Sequence, residues 1–109
     1  MTAAEIGGEE LRPIAEIDRL IHEPARLSIL THLLVLERAD FIYLMNETGL
    51  TRGNLSSHMS KLEEAGYLKI EKKFEGKTPR TLLSLTKAGR RALGDYRRQM
   101  QTVMESLPG

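Results

Sequence analysis

Apolar residues recur every three or four positions over most of this 109-residue chain, which predicts a series of short helices. After a flexible tail over residues 1–8, a first helix is expected over residues 9–21. Its apolar face carries Leu11, Ile14, Ile17 and Ile21. Pro24 then opens a second helix, because a proline in the first turn loses no helical hydrogen bond. The apolar stripe of this second helix consists of Leu27, Leu30, Leu33 and Leu34.

Two shorter helices follow, separated by a tight turn. Asp40 is suited to cap a helix over residues 41–48, and Gly49 is suited to the left-handed residue that ends it. Thr51 can cap the next helix, predicted over residues 51–65, whose apolar side chains are Leu55, Met59 and Leu62. Two helices joined in this way predict a helix-turn-helix.

The pattern changes to a period of two after Gly66. The alternation Leu68-Lys69-Ile70-Glu71 predicts a strand over residues 67–74. Residues 75–79 contain Gly and Pro and predict a turn, and residues 80–85 predict the returning strand. Thr86 can cap a last helix that runs from Lys87 towards Ser106. The expected fold is mainly α with a small β-hairpin, in a single domain over residues 9–109.

Composition excludes several functions. The chain is 40% hydrophobic and 28% charged, as in soluble globular proteins, and it has no cysteine for disulfides, thiol catalysis or thiolate metal sites. Its three histidines are scattered without a second ligand at metal-binding spacing. It shows no catalytic triad, carboxylate pair or phosphate loop, no signal peptide and no apolar run that could span a bilayer. We therefore expect a cytoplasmic protein that is not an enzyme and needs no metal or cofactor.

Positive charge is concentrated in one part of the chain. The formal net charge is only +1, yet residues 52–91 hold ten cations and four acids, whereas residues 1–23 hold six acids and two cations. A basic segment of this kind suits a polyanion such as nucleic acid. The alternative is a solvated surface on which cations cluster by chance.

The helix predicted over residues 51–65 has an outer face of small polar and cationic side chains. A helix that enters the major groove of DNA needs short donors and acceptors, one or two cations and no acid near phosphate. Thr51 is expected to cap the helix and Ser60 to occupy a solvated position, so neither is a candidate for DNA contact. For the remaining polar residues of this face, the alternative interpretation is a solvated helix start. The candidate groove-facing residues are Arg52, Asn54, Ser56, Ser57 and Lys61.

The hairpin carries a second set of cations. Lys77 and Arg80 flank its tip and are candidates for DNA phosphate or minor-groove contacts, together with Lys72 and Lys73 on the strand before it. For the last two, an equally good interpretation is edge protection, since lysines on exposed strands discourage pairing between sheets.

The last helix predicts a dimer interface over residues 93–107. Its apolar residues follow a heptad-like spacing that outruns a core of this size. Leu93 and Tyr96 are instead expected to pack on the domain itself. The predicted interface residues are Met100, Val103, Met104 and Leu107, completed by Ile14, Ile17 and Ile21 of the first helix.

Residues 50–68, LTRGNLSSHMSKLEEAGYL, together with LTKAGRRAL at residues 85–93, resemble small winged-helix transcriptional regulators of the MarR and ArsR groups. The resemblance implies a homodimer on double-stranded DNA, with the recognition helix over residues 51–65 in the major groove. The wing over residues 67–85 would lie on the backbone or in the minor groove. Repression is the commoner outcome in these groups.

Two questions stay open from the sequence. The chain lacks the metal-binding cysteines of many ArsR-type sensors and is shorter than the MarR relatives that bind small molecules, so an effector is unidentified. A winged helix can also dock another protein instead of DNA. The outer face of residues 52–61 shows no apolar patch for such a partner, which favours DNA.

Overall fold

The computed structural model describes residues 14–108, and the predicted mainly α fold with a small β-hairpin is confirmed. The predicted tail over residues 1–8 lies outside the described residues. Within the described part, four complete helices and three strands follow one another along the chain. In order, these are α1 (Pro24–Val35), β1 (Ala39–Asp40), α2 (Phe41–Thr48), α3 (Arg52–Glu64), β2 (Leu68–Glu75), β3 (Thr78–Leu85) and α4 (Lys87–Ser106).

The helices begin where the sequence places a cap. The side-chain oxygens of Asp40, Thr51 and Thr86 accept hydrogen bonds from the backbone N–H three residues further on, at 2.7, 3.2 and 2.9 Å. Gly49 ends α2 with φ of 72°, in the left-handed region that favours glycine. Glu23 caps α1, although glutamate is not among the residues that usually mark an N-cap.

One apolar core joins the helices to the sheet. Helix α3 buries Leu55, Met59 and Leu62, as predicted. Helix α1 is rotated from the predicted stripe, because Leu34 is 47% exposed and Ile29 is completely buried. The pattern of α1 is apolar on more than one side, so its neighbours decide which side is covered. The core residues of α1 are Ile29, Leu30 and Leu33.

The sheet has three antiparallel strands in the order β1-β3-β2. The two-residue strand β1 pairs with Leu82 and Leu83 of β3 and is too short to leave a sequence pattern. The predicted five-residue turn is wrong, since only Gly76 and Lys77 connect β2 to β3. Gly76 has φ of 61° and no non-glycine residue in the described part has positive φ, as in a type II′ turn.

The segment before α1 corrects the predicted first helix. Residues 9–13 lie outside the described part, residues 14–15 are helical, and turns and bends occupy residues 16–23 apart from Asp18. The carboxylate of Asp18 accepts hydrogen bonds from the backbone N–H groups of Leu20 and Ile21, at 2.9 and 3.2 Å. These bonds fold the backbone into a turn that competes with a helix, so the helix does not reach Ile21.

Helix α4 extends to Ser106, as predicted, and Leu107 follows it as the C-cap. Its first half packs on the core through Leu93 and Tyr96, which confirms the role expected for both residues. The hydroxyl of Tyr96 lies 2.9 Å from the Nδ1 atom of His22, and the hydroxyl of Tyr67 donates to Asp18 at 2.9 Å. The segment before α1 is therefore fastened to both α4 and the loop after α3.

Candidate nucleic-acid interface

An open cleft of about 860 Å³ separates α3 from the hairpin. The two walls mix polar and apolar side chains, and each contributes at least one cation. From α3 the cleft is lined by Arg52, Ser56 and Ser60, and from the hairpin by Ile70, Lys72 and Thr81. A strand of DNA backbone has the shape and charge that such a cleft accommodates.

The five predicted groove-facing residues divide between two adjoining surfaces of α3. Arg52 and Ser56 line the cleft, whereas Asn54, Ser57 and Lys61 are exposed outside it. Ser60 also lines the cleft, although the sequence interpretation set it aside, and so does Glu63. The signal was present in the spacing, since residues 52, 56, 60 and 63 form one row along a helix. Glu63 lies at one end of the cleft, and its negative charge would repel phosphate there.

Arg52 is positioned by a residue from the preceding helix. The carbon at the centre of its guanidinium lies 5.2 Å from the centre of the Phe41 ring. A cation over an aromatic face is attracted by the ring, which restrains an otherwise flexible side chain at the mouth of the cleft. The first turn of α3 contains no acid, so its positive helix end adds to this charge.

The structure separates the two lysines that the sequence treats as equivalent. Lys72 lies on the inner face of β2 and lines the cleft. Lys73 points to the outer face, where its amino group lies 3.6 Å from Glu71. Glu71 also pairs with Lys69 at 3.2 Å, and this bond is the main cause that lowers the pKa of Glu71. The outer face of the edge strand is therefore a ladder of paired charges.

Arg80 differs from the free wing cation expected from the sequence. Its guanidinium is paired with Glu75, at 2.6 Å, and with Asp40. Hydrogen bonds to Glu75 and then to Asp40 raise the pKa of Arg80 above its ordinary value. Because Asp40 also caps α2, Arg80 braces the wing against the helix-turn-helix. Lys77, at the turn, is exposed.

The back of α3 is held by a charged cluster at the start of α1. The Nδ1 atom of His58 lies 3.2 Å from the Arg26 guanidinium and 3.8 Å from the Glu23 carboxylate. Since a guanidinium only donates, its bond to His58 requires Nδ1 to accept. His58 is thus a half-buried residue that faces away from the cleft.

The predicted dimer residues fall into four groups. Ile14, Met104 and Leu107 expose more than half of their side-chain surface, whereas Ile17 and Met100 pack partly on the core. Val103 is buried but lies outside the core cluster. Ile21 is completely buried within its own chain, so its assignment to a dimer surface is wrong. The surface available for a dimer interface is therefore smaller than the sequence indicates.

Within residues 14–108, no three His, Asp or Glu side chains come together in a group that could hold a metal ion. None of the helices in this part of the chain is both long and apolar enough to cross a membrane.

A helix-turn-helix followed by a β-hairpin that stands beside the second helix is a winged helix. The winged helix DNA-binding domain family matches residues 25–104, and the chain belongs to this family. It is 35% identical to an uncharacterized protein of Methanocaldococcus jannaschii over 78 residues, which cover 72% of this chain and 85% of that protein.

Solved structures agree with this assignment. A transcriptional regulator homologue from Pyrococcus horikoshii is 30% identical, with a TM-score of 0.82 over 94% of this chain and 100% of the other. The repressor CouR, bound to a 23-mer DNA duplex, has a TM-score of 0.69 at 20% identity and shares the fold over 94% of this chain and 69% of its own. The predicted resemblance is confirmed, and the chain is a DNA-binding winged-helix protein of the transcriptional-regulator class.

Proposed function

We propose that this protein binds double-stranded DNA sequence-specifically, with α3 in the major groove and the hairpin on the adjacent backbone. The observation that carries the proposal is the cleft, because two separate elements turn cations towards it. Arg52 comes from α3 and Lys72 from β2. A DNA strand held between them would fix the register of α3 against the base edges.

The exposed residues of α3 then take different roles. Arg52 is at the first position of the helix and can bond a guanine or a phosphate, and Asn54 can pair with an adenine. The hydroxyls of Ser56 and Ser57 suit phosphate or water-bridged base contacts, and Lys61 suits phosphate. The small side chains of Asn54, Ser56 and Ser57 permit close approach of α3 to the groove floor.

The biological unit of this proposal is a homodimer that occupies a pseudo-palindromic site. The exposed side chains of Met104 and Leu107 at the end of α4, with Ile14, supply its contact surface. Occupation of a promoter would most simply repress transcription, and the protein would act in the cytoplasm. A small-molecule effector is compatible with this arrangement but has no identified site.

Fluorescence anisotropy against genomic fragments, over a series of salt concentrations, tests the proposal. We expect clear sequence preference and a steep loss of affinity with salt, since each phosphate contact adds about one unit to the slope of log K against log salt. Arg52→Ala should cost about 1–3 kcal/mol of binding free energy and relax preference at one position if Arg52 contacts a base. Weak binding to all fragments without a salt slope would reject the proposal.

Two wing variants form a matched pair in the same assay. Lys77→Ala should weaken every sequence alike and reduce the salt slope by about one unit, because an exposed cation is lost from the backbone contact. Arg80→Ala should leave the slope unchanged, because Glu75 and Asp40 already compensate its charge. An equal reduction by both variants would show that Arg80 leaves its carboxylates to bind phosphate.

The second candidate is a protein-interaction module of the same fold. The exposed apolar side chains Ile42 and Tyr43 on α2 are the observation that favours it, since they lie outside the core. Such a module would retain its partner after Arg52→Ala and show no salt-dependent DNA binding.

A further inference from the structure

We propose that Phe74, opposite Pro79 at the end of the wing, is an apolar wedge that enters the DNA minor groove beside the site read by α3. This inference rests on the proposed function. Phe74 would respond to the shape and deformability of the flanking DNA. The cations of the wing, by contrast, would contact only the DNA backbone.

Phe74 is the feature of the hairpin that the charge pattern does not explain. Its side chain is 76% exposed, whereas Phe41 is buried in the core. An exposed aromatic side chain on an edge strand invites unwanted pairing with other chains, and proteins usually place polar residues there. The position therefore calls for a partner that covers the ring.

The register of the hairpin shows which way the ring faces. Side chains alternate along β2, so Phe74 is on the same face as Leu68, Ile70 and Lys72. Leu68 is buried in the core, and Ile70 and Lys72 line the cleft beside α3. Phe74 therefore continues the cleft wall outward, on the side of the wing that would meet DNA. The paired charges of Lys73 and Glu71 are on the opposite face.

The tip of the wing is narrow and apolar on this face. Phe74 is directly opposite Pro79, and Glu75 opposite Thr78 then leads into the two-residue turn. Proline lacks an N–H group and cannot take part in further strand pairing, which protects the outer edge of β3 at this level. A two-residue turn keeps the tip slim enough for its side chains to enter a groove about 6 Å wide.

The charges around Phe74 favour a polyanion as the partner, because the neighbouring acid Glu75 is paired with Arg80. Lys72 precedes the ring on the same face, and Lys77 follows at the exposed turn. An apolar protein surface or a membrane interior would leave both ammonium groups without counterions. In the minor groove, the ring can press on a base step while the lysines contact the phosphates on either side.

The inference is tested on a duplex that the wild-type protein selects from a random-sequence pool. A 2-aminopurine is placed at each step of the flanking minor groove in turn, because its fluorescence rises when bases unstack. Wild-type protein should increase the fluorescence at one step on each flank. It should also bind more tightly when that step is a flexible TA than when it lies in an A-tract.

Phe74→Ala should abolish the fluorescence change and the preference for TA, and weaken binding about 5- to 100-fold, as for the loss of one stacked aromatic side chain. The salt slope should not change, because no charge is removed. Phe74→Leu should restore part of the affinity. The matched control is Val35→Ala, which truncates a side chain that is 84% exposed at the end of α1 and should have no effect on binding.

The possible failures are distinguishable. If the wild-type protein selects no sequence and shows no salt slope, the proposed function and the wedge fall together. If it selects a sequence but Phe74→Ala behaves like wild type, only the wedge is overturned. If Phe74→Ala changes sedimentation but not DNA binding, the ring covers a second copy of the chain and the wedge is likewise overturned.

Discussion

Gly89 of α4 lies directly against the backbone carbonyl of Tyr67. A Cβ atom at position 89 would be 2.2 Å from the Tyr67 oxygen, which already accepts the backbone N–H of Thr86 at 3.1 Å. The glycine in the LTKAG segment is thus required by the packing of α4 on the turn after α3.

Gly89→Ala should therefore destabilise the protein by about 1–3 kcal/mol, because rigid backbone has to move to admit one methyl group. Chemical denaturation measures the change. Gly94→Ala is the control in the same helix, since its nearest neighbour would be an Arg98 side-chain atom at 3.8 Å. That variant should gain up to about 1 kcal/mol from helix propensity. Equal stabilities for the two variants would contradict this account.

Asp40 connects two parts of the fold with its two carboxylate oxygens. One caps α2 by accepting the Tyr43 N–H at 2.7 Å, and the other pairs with Arg80 of the wing. Asp40→Ala should cost about 1 kcal/mol of unfolding free energy through the lost cap. Asp40→Asn should cost less, because asparagine also caps helices. Denaturation curves that rank asparagine at or below alanine would show that the ion pair, not the cap, carries the stability.

Glu23 should make stability depend on pH in the acid range. Burial alone would raise the pKa of Glu23, but hydrogen bonds from the Arg26 and Ala25 N–H groups and the charge of the Arg26 guanidinium together lower it. A carboxylate whose pKa is lowered by folding contributes its full stabilisation at pH values above its pKa in the unfolded chain, which is about 4.3. This contribution disappears as the pH falls through the lower pKa of the folded protein, because Glu23 is then protonated in both the folded and the unfolded protein.

The difference in stability between wild type and Glu23→Gln should accordingly be about 1 kcal/mol at neutral pH, as for other helix caps, and shrink on acidification. Urea denaturation at a series of pH values measures it. Glu105→Gln removes the same charge from an exposed position near the end of α4 and should show no such dependence. A pH-independent loss at Glu23 would mean that its charge does not stabilise the cap.

Met104→Glu should dissociate the proposed dimer while leaving the fold intact. The side chain is 61% exposed within one chain, so a charge there costs little in the monomer but would be buried between two copies. Sedimentation velocity reports the assembly and thermal melting reports the fold. Val35→Glu, at an exposed apolar position on α1, should leave sedimentation unchanged. A Met104→Glu protein that still sediments as a dimer would place the interface elsewhere.

Much of the fold could be predicted because its signals are local. Asp40, Thr51 and Thr86 cap helices through bonds to residues three positions away, and Gly49 supplies the φ that ends α2. Such features depend on a few neighbouring residues. The sequence by itself therefore determined the order of the elements, most helix ends, the apolar face of α3 and the basic character of the wing.

The tertiary structure decided which side chains meet across the chain. Arg52 rests over Phe41, Arg80 is held by Asp40, and Ile21 fills the core instead of a dimer seam. The first two contacts join residues 11 and 40 positions apart, and the burial of Ile21 depends on how the segment before α1 folds onto the core. The spacing of apolar residues shows which face of a helix or strand is buried, but not which element packs against it. The cleft and the inner face of the wing therefore form only when packing brings α3 and β2 together.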